Sequence, residues 1–283
     1  MSADFKIAVC EMTSVNDVGQ NFLQIQNLLR SVEGSGPVDL VCFPENSLFF
    51  KIGNQKISSI SLDHPHIKAI GEWSKKNNAY VHLGSVPLEQ DGHVYNASVL
   101  IEPTGKVSSP YKKIHLFDVD VEGAPSVRES DNFKHGKEPS TFEIRGWKIG
   151  SSICYDLRFS ELYSGYAQAG VDLILIPSAF IVPTGKAHWE ILLRARAIES
   201  QCYVAAAAQG GTHVSASGET AGQTRETWGH SMIVSPWGEI EAVCLGEAPK
   251  DTPASKRVLR ATLSKERIAA VRRQIPMASH RRL

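Results

Sequence analysis

The chain is short of several things, and each absence removes a class of function. No segment approaches the roughly 18 consecutive apolar residues that a membrane-spanning helix needs, although 42% of the 283 residues are hydrophobic. Charge of neither sign is in excess: 30 Lys and Arg stand against 30 Asp and Glu. That balance leaves no electrostatic case for nucleic acid or a membrane surface as partner. Cysteine is sparse and scattered, at Cys10, Cys42, Cys154, Cys202 and Cys244. The number is odd and no CxxC pair occurs, so neither a disulfide framework nor a zinc site is expected. The opening MSADFKIAVCEM has no basic stretch followed by an apolar one, so no secretory signal is expected and the cytoplasm is the expected compartment. Also missing are GxSxG, HExxH, GxxxxGK[ST] and a strand-following GxGxxG, which removes the chemistries those motifs carry. Too little chain follows Cys154 for a papain-like histidine far downstream. Carboxylates and lysines remain as partners for a nucleophile.

What is present is a repeated pattern of a short apolar run, a turn, and an amphipathic stretch. Phe5–Met12 and Val38–Phe43 read as strands, with a helix between them capped by Asn16 or Asp17 and carrying Phe22, Ile25, Leu28, Leu29 and Val32 at helical spacing. Ile67, Ile70 and Trp73 mark a second helix that Asn77 and Asn78 close. Tyr80–Val86, Tyr95–Glu102, Trp147–Cys154, Val171–Pro177 and Tyr203–Ala208 read as further strands. Helices are predicted from about Ser160 to Ala169, stopped by Gly170, and over His188–Gln201. Ser231–Val234 and Glu239–Val243 flank a Pro-Trp-Gly turn as a hairpin; Arg257–Leu263 and Lys265–Arg273 form a last strand and helix. VDLILIP is nearly all apolar, as strands covered on both faces are. Strands alternating with helices, plus hairpins and no linker, predict a layered α/β fold in a single domain, residues 1–283. Val119–Lys137, long and polar without periodicity, is expected to be the least ordered stretch.

Three segments carry candidate chemistry. Cys154 lies where the apolar run Ile149–Ile153 meets the polar Tyr155-Asp156-Leu157-Arg158. A strand end presents its side chain to the crevice at the mouth of a sheet. The following backbone N–H groups can meet an oxyanion, and the positive end of the next helix is expected to favour a thiolate. A lone cysteine is more often a small buried residue, and the other four keep that reading. Glu45 ends the apolar strand at FPEN, where partial burial raises a carboxylate toward general-base strength; on position alone an exposed loop glutamate fits equally. Lys112 and Lys113 are adjacent, and spacing does not choose between them.

FPEN, YKKIHLFD and SSICYDLRFSELY together resemble the three catalytic blocks of the nitrilase (carbon–nitrogen hydrolase) superfamily, in that family's order. PSAF, Thr184-Gly185, AHWEILLRARAIESQCYVAAAAQ and GHSMIVSPWG resemble its amidase branch, which includes deaminated glutathione amidase and ω-amidase. The resemblance implies a four-layer α-β-β-α sandwich, a homodimer that doubles it, and hydrolysis of a small-molecule amide without metal or organic cofactor. It implies Glu45 as base, Lys113 as oxyanion stabiliser, Cys154 as nucleophile and Glu129 as a second glutamate orienting the lysine or the water. It also implies an oxyanion contact from the Tyr155 N–H, and acyl-group contacts from Arg158, Phe180 and Thr184. Deaminated glutathione is the expected substrate, α-ketoglutaramate the alternative; a catalytically silent dimeric binding protein is the competing class. Ser160 and Lys186 stand where relatives commonly carry proline, and Lys186 falls near the expected pocket rim.

Overall fold

The computed structural model describes residues 4–122, 126–216, 218–244 and 253–282. In chain order, β1 (Phe5–Cys10) leads to α1 (Val18–Gly34), whose first turn is capped by Asp17 accepting from the Gln20 N–H. β2 (Leu40–Cys42), α2 (Pro65–Asn77), β3 (Tyr80–Gln90), β4 (His93–Ile101) and β5 (Val107–Ser108) follow. α2 ends on Asn78 in the left-handed conformation. Two short strands, β6 (Asp118–Val119) and β7 (Val127–Arg128), precede β8 (Ser140–Ile144), β9 (Trp147–Ser151), α3 (Ser160–Gln168) and β10 (Leu173–Leu175). The rest comprises α4 (Val182–Ser200), β11 (Tyr203–Ala206), β12 (Gly210–Val214), β13 (Thr224–Trp228), β14 (Met232–Val234), β15 (Ile240–Val243), β16 (Val258–Leu263), α5 (Lys265–Gln274) and α6 (Met277–His280).

Among the described residues these strands build two six-stranded sheets, in the orders β16-β1-β2-β3-β4-β5 and β15-β14-β11-β10-β9-β8. Each has a parallel centre, β1-β2-β3 and β9-β10-β11, with antiparallel strands outside. The period of two divides every central strand between two cores. Phe5, Ile7 and Val9 of β1 meet Leu173, Leu175, Tyr203 and Ala205 of the other sheet, while Ala8 and Cys10 face α1 and α2. Ile174, Val204 and Ala206 turn the other way, to α3 and α4. The predicted four-layer sandwich is the structure observed, and burial on both faces is why VDLILIP is apolar but for Asp172. Filling these layers with Val, Leu, Ile and Phe contributes about 1.5–3 kcal/mol for each fully buried side chain. No helix among the described residues is long and apolar enough to cross a membrane.

Two boundaries are corrected, one hairpin was missed, and the polar loop proves partly ordered. The helix predicted to start at His188 begins at Val182, because Pro183 fits a first turn and Gly185 lets the helix lie on Trp228: a Cβ on Gly185 would stand 2.3 Å from the Trp228 Cβ. The strand predicted through Cys154 ends at Ser151, and Cys154 opens a 3-10 turn. The β12–β13 hairpin was not foreseen. Val119–Lys137 holds part of a β6–β7 ribbon, and the Glu129 carboxylate in it is tied down, accepting from the Phe117 N–H at 2.7 Å; residues 123–125 of that stretch lie outside the described residues.

Two histidines sit inside. Burial lowers His82, on the inter-sheet face of β3, from 6.5 to about 3, and neither ring nitrogen has a partner. Burial likewise lowers His213 to about 3. Unfolded chains take up these protons as pH falls through 6.5, whereas the folded protein resists until about 3. Their stabilising contribution is therefore whole above 6.5 and is lost across that window. His82→Leu should flatten the fall by one proton, about 1.4 kcal/mol per pH unit. Urea midpoints between neutral and mildly acid pH measure it; an unchanged slope would show that His82 is not held neutral.

Candidate active site

Cys154 follows β9 at the mouth of the second sheet. The Ser152 N–H donates to Leu175 O at 3.1 Å and the Cys154 N–H to Pro177 O at 2.9 Å, so the ladder with β10 continues to the thiol. Cys154 itself has φ 51°, a left-handed conformation that a residue with a Cβ adopts at a cost of about 1–2 kcal/mol. Asp156 holds the bend. Its buried carboxylate accepts from the Ile153 N–H at 2.9 Å, the Tyr111 hydroxyl at 2.7 Å and the His115 N–H at 3.0 Å. One side chain thereby fastens the segment bearing Lys113 to the elbow bearing Cys154.

Glu45 lies beyond β2, where a close approach of backbone sets its position. The β3–β4 register shifts between Leu83 and Val86, and a Cβ on Gly84 would stand 2.2 Å from both Phe43 O and Pro177 Cβ. Only glycine lets the two sheets meet there. Ser85, in the same bulge, accepts from the Asn46 N–H through its hydroxyl and from the Ser47 N–H through its carbonyl. Gln209 then donates to the Glu45 carbonyl at 2.9 Å.

The segment Tyr111–Lys113 runs antiparallel to β4. Ser98 N–H donates to Tyr111 O and Lys113 N–H to Asn96 O, both at 2.9 Å. Adjacent residues of an extended segment point to opposite sides, and this separates the two lysines. Lys112 stands 4.0 Å over the Tyr95 ring, while Lys113 enters the site. Its Nζ lies 2.8 Å from Glu45 Oε1 and 2.7 Å from Glu129 Oε2. Asn96 Nδ2 donates to both carboxylates, at 2.8 and 2.7 Å.

The environment is dry, with Glu45 3%, Lys113 2% and Cys154 6% exposed. Burial alone would pull Lys113 down, but Glu129 and Glu45 overcome it and hold the ammonium well above its ordinary range. Cys154 goes the other way from expectation. Burial, then the Glu45 carboxylate, push its thiol well above the ordinary value, against Lys113 and the Ala179 N–H. The helix-end argument for a resting thiolate therefore fails, because α3 starts only at Ser160 and a carboxylate stands beside the sulfur. Burial and the Glu45 carboxylate together favour the neutral thiol.

Of the remaining predicted residues, Tyr155, Arg158 and Phe180 come together. The Arg158 guanidinium lies 5.9 Å from the Tyr155 ring and 5.4 Å from that of Phe180. The Tyr155 N–H has no backbone acceptor among the described residues. Thr184 is half-buried in the first turn of α4 and donates to Ile181 O at 3.3 Å, and Ser160 is the exposed first residue of α3. Lys186 is exposed. Sequence reasoning missed Asn96, Gln209, Asp156 and Arg225, as well as His188, whose Nδ1 accepts from Arg158 at 3.2 Å. Asn96 had a signal, as a polar residue within the apolar β4; the others become meaningful through contacts across the fold.

A thiol, a carboxylate and an ammonium converging at the mouth of an α-β-β-α sandwich describe a class of hydrolase. Carbon-nitrogen hydrolase is the family that matches, over residues 6–273, and the chain belongs to it. It is 36% identical to omega-amidase NIT2 of Danio rerio, over 98% of this chain and 95% of that protein. It is 33% identical to the deaminated glutathione amidase of Yersinia enterocolitica, over 98% and 92%. The crystal structure of the Caenorhabditis elegans NitFhit protein superposes with a TM-score of 0.81 at 34% identity, covering 99% of this chain and 66% of that longer one.

Because Glu45 raises the Cys154 pKa, Glu45→Gln should lower it. The thiolate absorbance of the variant should appear at a lower pH than in the wild type, with Lys113 favouring the anion. A thiol titrating at the same or higher pH would show that Glu45 does not govern it.

Proposed function

We propose that this carbon–nitrogen hydrolase is a thiol amidase that cleaves a linear amide of a 2-oxo acid through a thioester on Cys154. The observation that carries the reading is the Lys113 ammonium, fixed between Glu45 and Glu129, with the Cys154 thiol within electrostatic reach of Glu45 and Lys113. Glu45 takes the thiol proton as Cys154 attacks the amide carbonyl. Lys113 and the Tyr155 N–H receive the oxyanion, a contribution of roughly 3–4 kcal/mol for a well-aimed donor. Glu45 hands its proton to the departing nitrogen and then activates the water that hydrolyses the thioester. Glu129 keeps Lys113 charged and aimed.

Arg158, with no carboxylate partner among the described residues, takes the 2-oxo acid carboxylate against the Tyr155 and Phe180 rings. Deaminated glutathione is the substrate favoured, and α-ketoglutaramate the second; both relatives named above support this pair. The working form is a homodimer. Ile191 and Ile198 of α4 and Trp237 in the β14–β15 turn are 70%, 48% and 49% exposed, and Ile198 abuts Gly238, so the turn and the helix form one apolar face. Free cysteines at all five positions suit a reducing cytoplasm.

A panel of deaminated glutathione, α-ketoglutaramate and a simple nitrile, with products identified by mass spectrometry, tests the reaction. Cys154→Ala should abolish turnover and leave the fold intact. Lys113→Ala should cut kcat by at least about 100-fold, and Lys112→Ala by no more than about threefold. Equal losses in the two lysine variants would overturn the assignment. No turnover of any substrate, together with slow uniform alkylation of all five cysteines, would make the chain a binding protein.

A further inference from the structure

Arg225 carries a charge that the chemistry above does not use. It lies on β13, opposite His213 of β12, and its guanidinium sits 4.6 Å from the centre of the Phe50 ring. Phe50 in turn stacks on the buried His213 imidazole at 4.3 Å. His213 is clamped on both nitrogens, 2.7 Å from Ser14 O and 2.7 Å from Thr227 Oγ1. A fully built aromatic platform therefore holds one arginine. Of the five N–H donors of a guanidinium, the described residues satisfy one, Nη1 to Lys51 O at 3.3 Å, and no carboxylate among them pairs with it. Burial pulls Arg225 below its ordinary value, whereas Glu45, Cys154 and Glu129, in that order, raise it, so the cation stands within electrostatic reach of the reacting groups.

The wall it stands on is not the wall of Arg158. Arg158 follows Cys154 and rests on Tyr155 and Phe180; Arg225 rests on Phe50, five residues beyond Glu45. Glu45 must reach the departing nitrogen if it is to protonate it, so the leaving group occupies the Glu45 side. We infer that Arg225 is the anchor for a second carboxylate, carried by the leaving group, so that the site is built for amides with a carboxylate at each end. The inference rests on the amidase reading above and sharpens it. Deaminated glutathione has such a second carboxylate, on its cysteinylglycine half, whereas α-ketoglutaramate releases ammonia. Lys186, the cation that sequence placed near the pocket rim, is exposed at the first turns of α4, whereas Arg225 lies within electrostatic reach of Glu45, Cys154 and Glu129.

Two measurements test the assignment, in wild type, Arg225→Met and Arg225→Lys. Arg225→Met removes the charge at similar volume; Arg225→Lys keeps the charge but loses the two-pronged geometry. In steady-state kinetics the methionine variant should lose at least about tenfold more kcat/KM on deaminated glutathione than on α-ketoglutaramate, with the loss mainly in KM. The lysine variant should lie between methionine and wild type. Equal loss on both substrates, or none on either, would overturn the anchor. The second measurement does not depend on the natural substrate. Iodoacetate and iodoacetamide both alkylate the Cys154 sulfur with loss of iodide, and they differ in carrying a carboxylate or a neutral amide. The iodoacetate-to-iodoacetamide rate ratio should fall about tenfold in Arg225→Met and be largely kept in Arg225→Lys. A structural role alone would slow both reagents together and leave the ratio unmoved, which would also overturn the proposal. Should the wild type hydrolyse neither amide, the amidase reading falls, and the alkylation ratio still decides whether Arg225 forms an anion site.

Discussion

Everything at the site is arranged around one buried ammonium. Lys113 Nζ is held at 2.8 and 2.7 Å by two carboxylates, with Asn96 bridging both from behind. Removing ions from water costs several kcal/mol each, and mutual attraction in a dry site repays that only when the geometry is good. Here the geometry is good because each ion comes from a differently anchored segment: Glu45 from a strand end wedged by the Gly84 bulge, Lys113 from a segment laddered to β4, and Glu129 from a loop pinned through Phe117. Loss of one partner leaves an uncompensated buried charge, so the three residues constrain one another and, through them, the loops that carry them.

The same constraint shapes the nucleophile. Two carboxylates flank the one ammonium, and a thiolate there would add another anion. Burial and the Glu45 carboxylate therefore keep the proton on Cys154. Under the proposed reaction, a pocket with that balance favours a substrate whose anionic parts are met elsewhere. Two arginines, on separate aromatic platforms and without carboxylate partners among the described residues, fit that need.

Asp156 links this electrostatics to the scaffold. It accepts backbone N–H groups from the elbow and from the Lys113 segment, and the Tyr111 hydroxyl besides. Strain at the left-handed Cys154 is offset by those bonds and by the Cys154 N–H to Pro177 O. The relative placement of thiol and ammonium is thus fixed by one carboxylate that touches neither reacting atom.

Local pattern was enough for the layers. Period-two and period-3.6 apolar spacing, with caps at Asp17 and Asn78, fixed most strands and helices, because burial rewards that periodicity wherever the chain lies. Boundaries slipped where a distant contact outweighed it, as when Trp228 accommodates the early start of α4 at Gly185. The three motif blocks pointed to Glu45, Lys113 and Cys154, the family resemblance added Glu129, and the fold brings all four together. Tertiary structure alone decided the rest. It supplied the physical ground for Lys113 over Lys112, which residue spacing had left open, in the register of Tyr111–Lys113 on β4. It reversed the expected acidity of Cys154 by burying the sulfur and setting Glu45 near it. It also carried Arg225, 71 residues beyond the thiol in sequence, to the reacting groups on a hairpin that no local pattern announced. Secondary structure answers to neighbours within a few residues, whereas burial, charge pairing and pKa depend on which remote segments share a small dry volume.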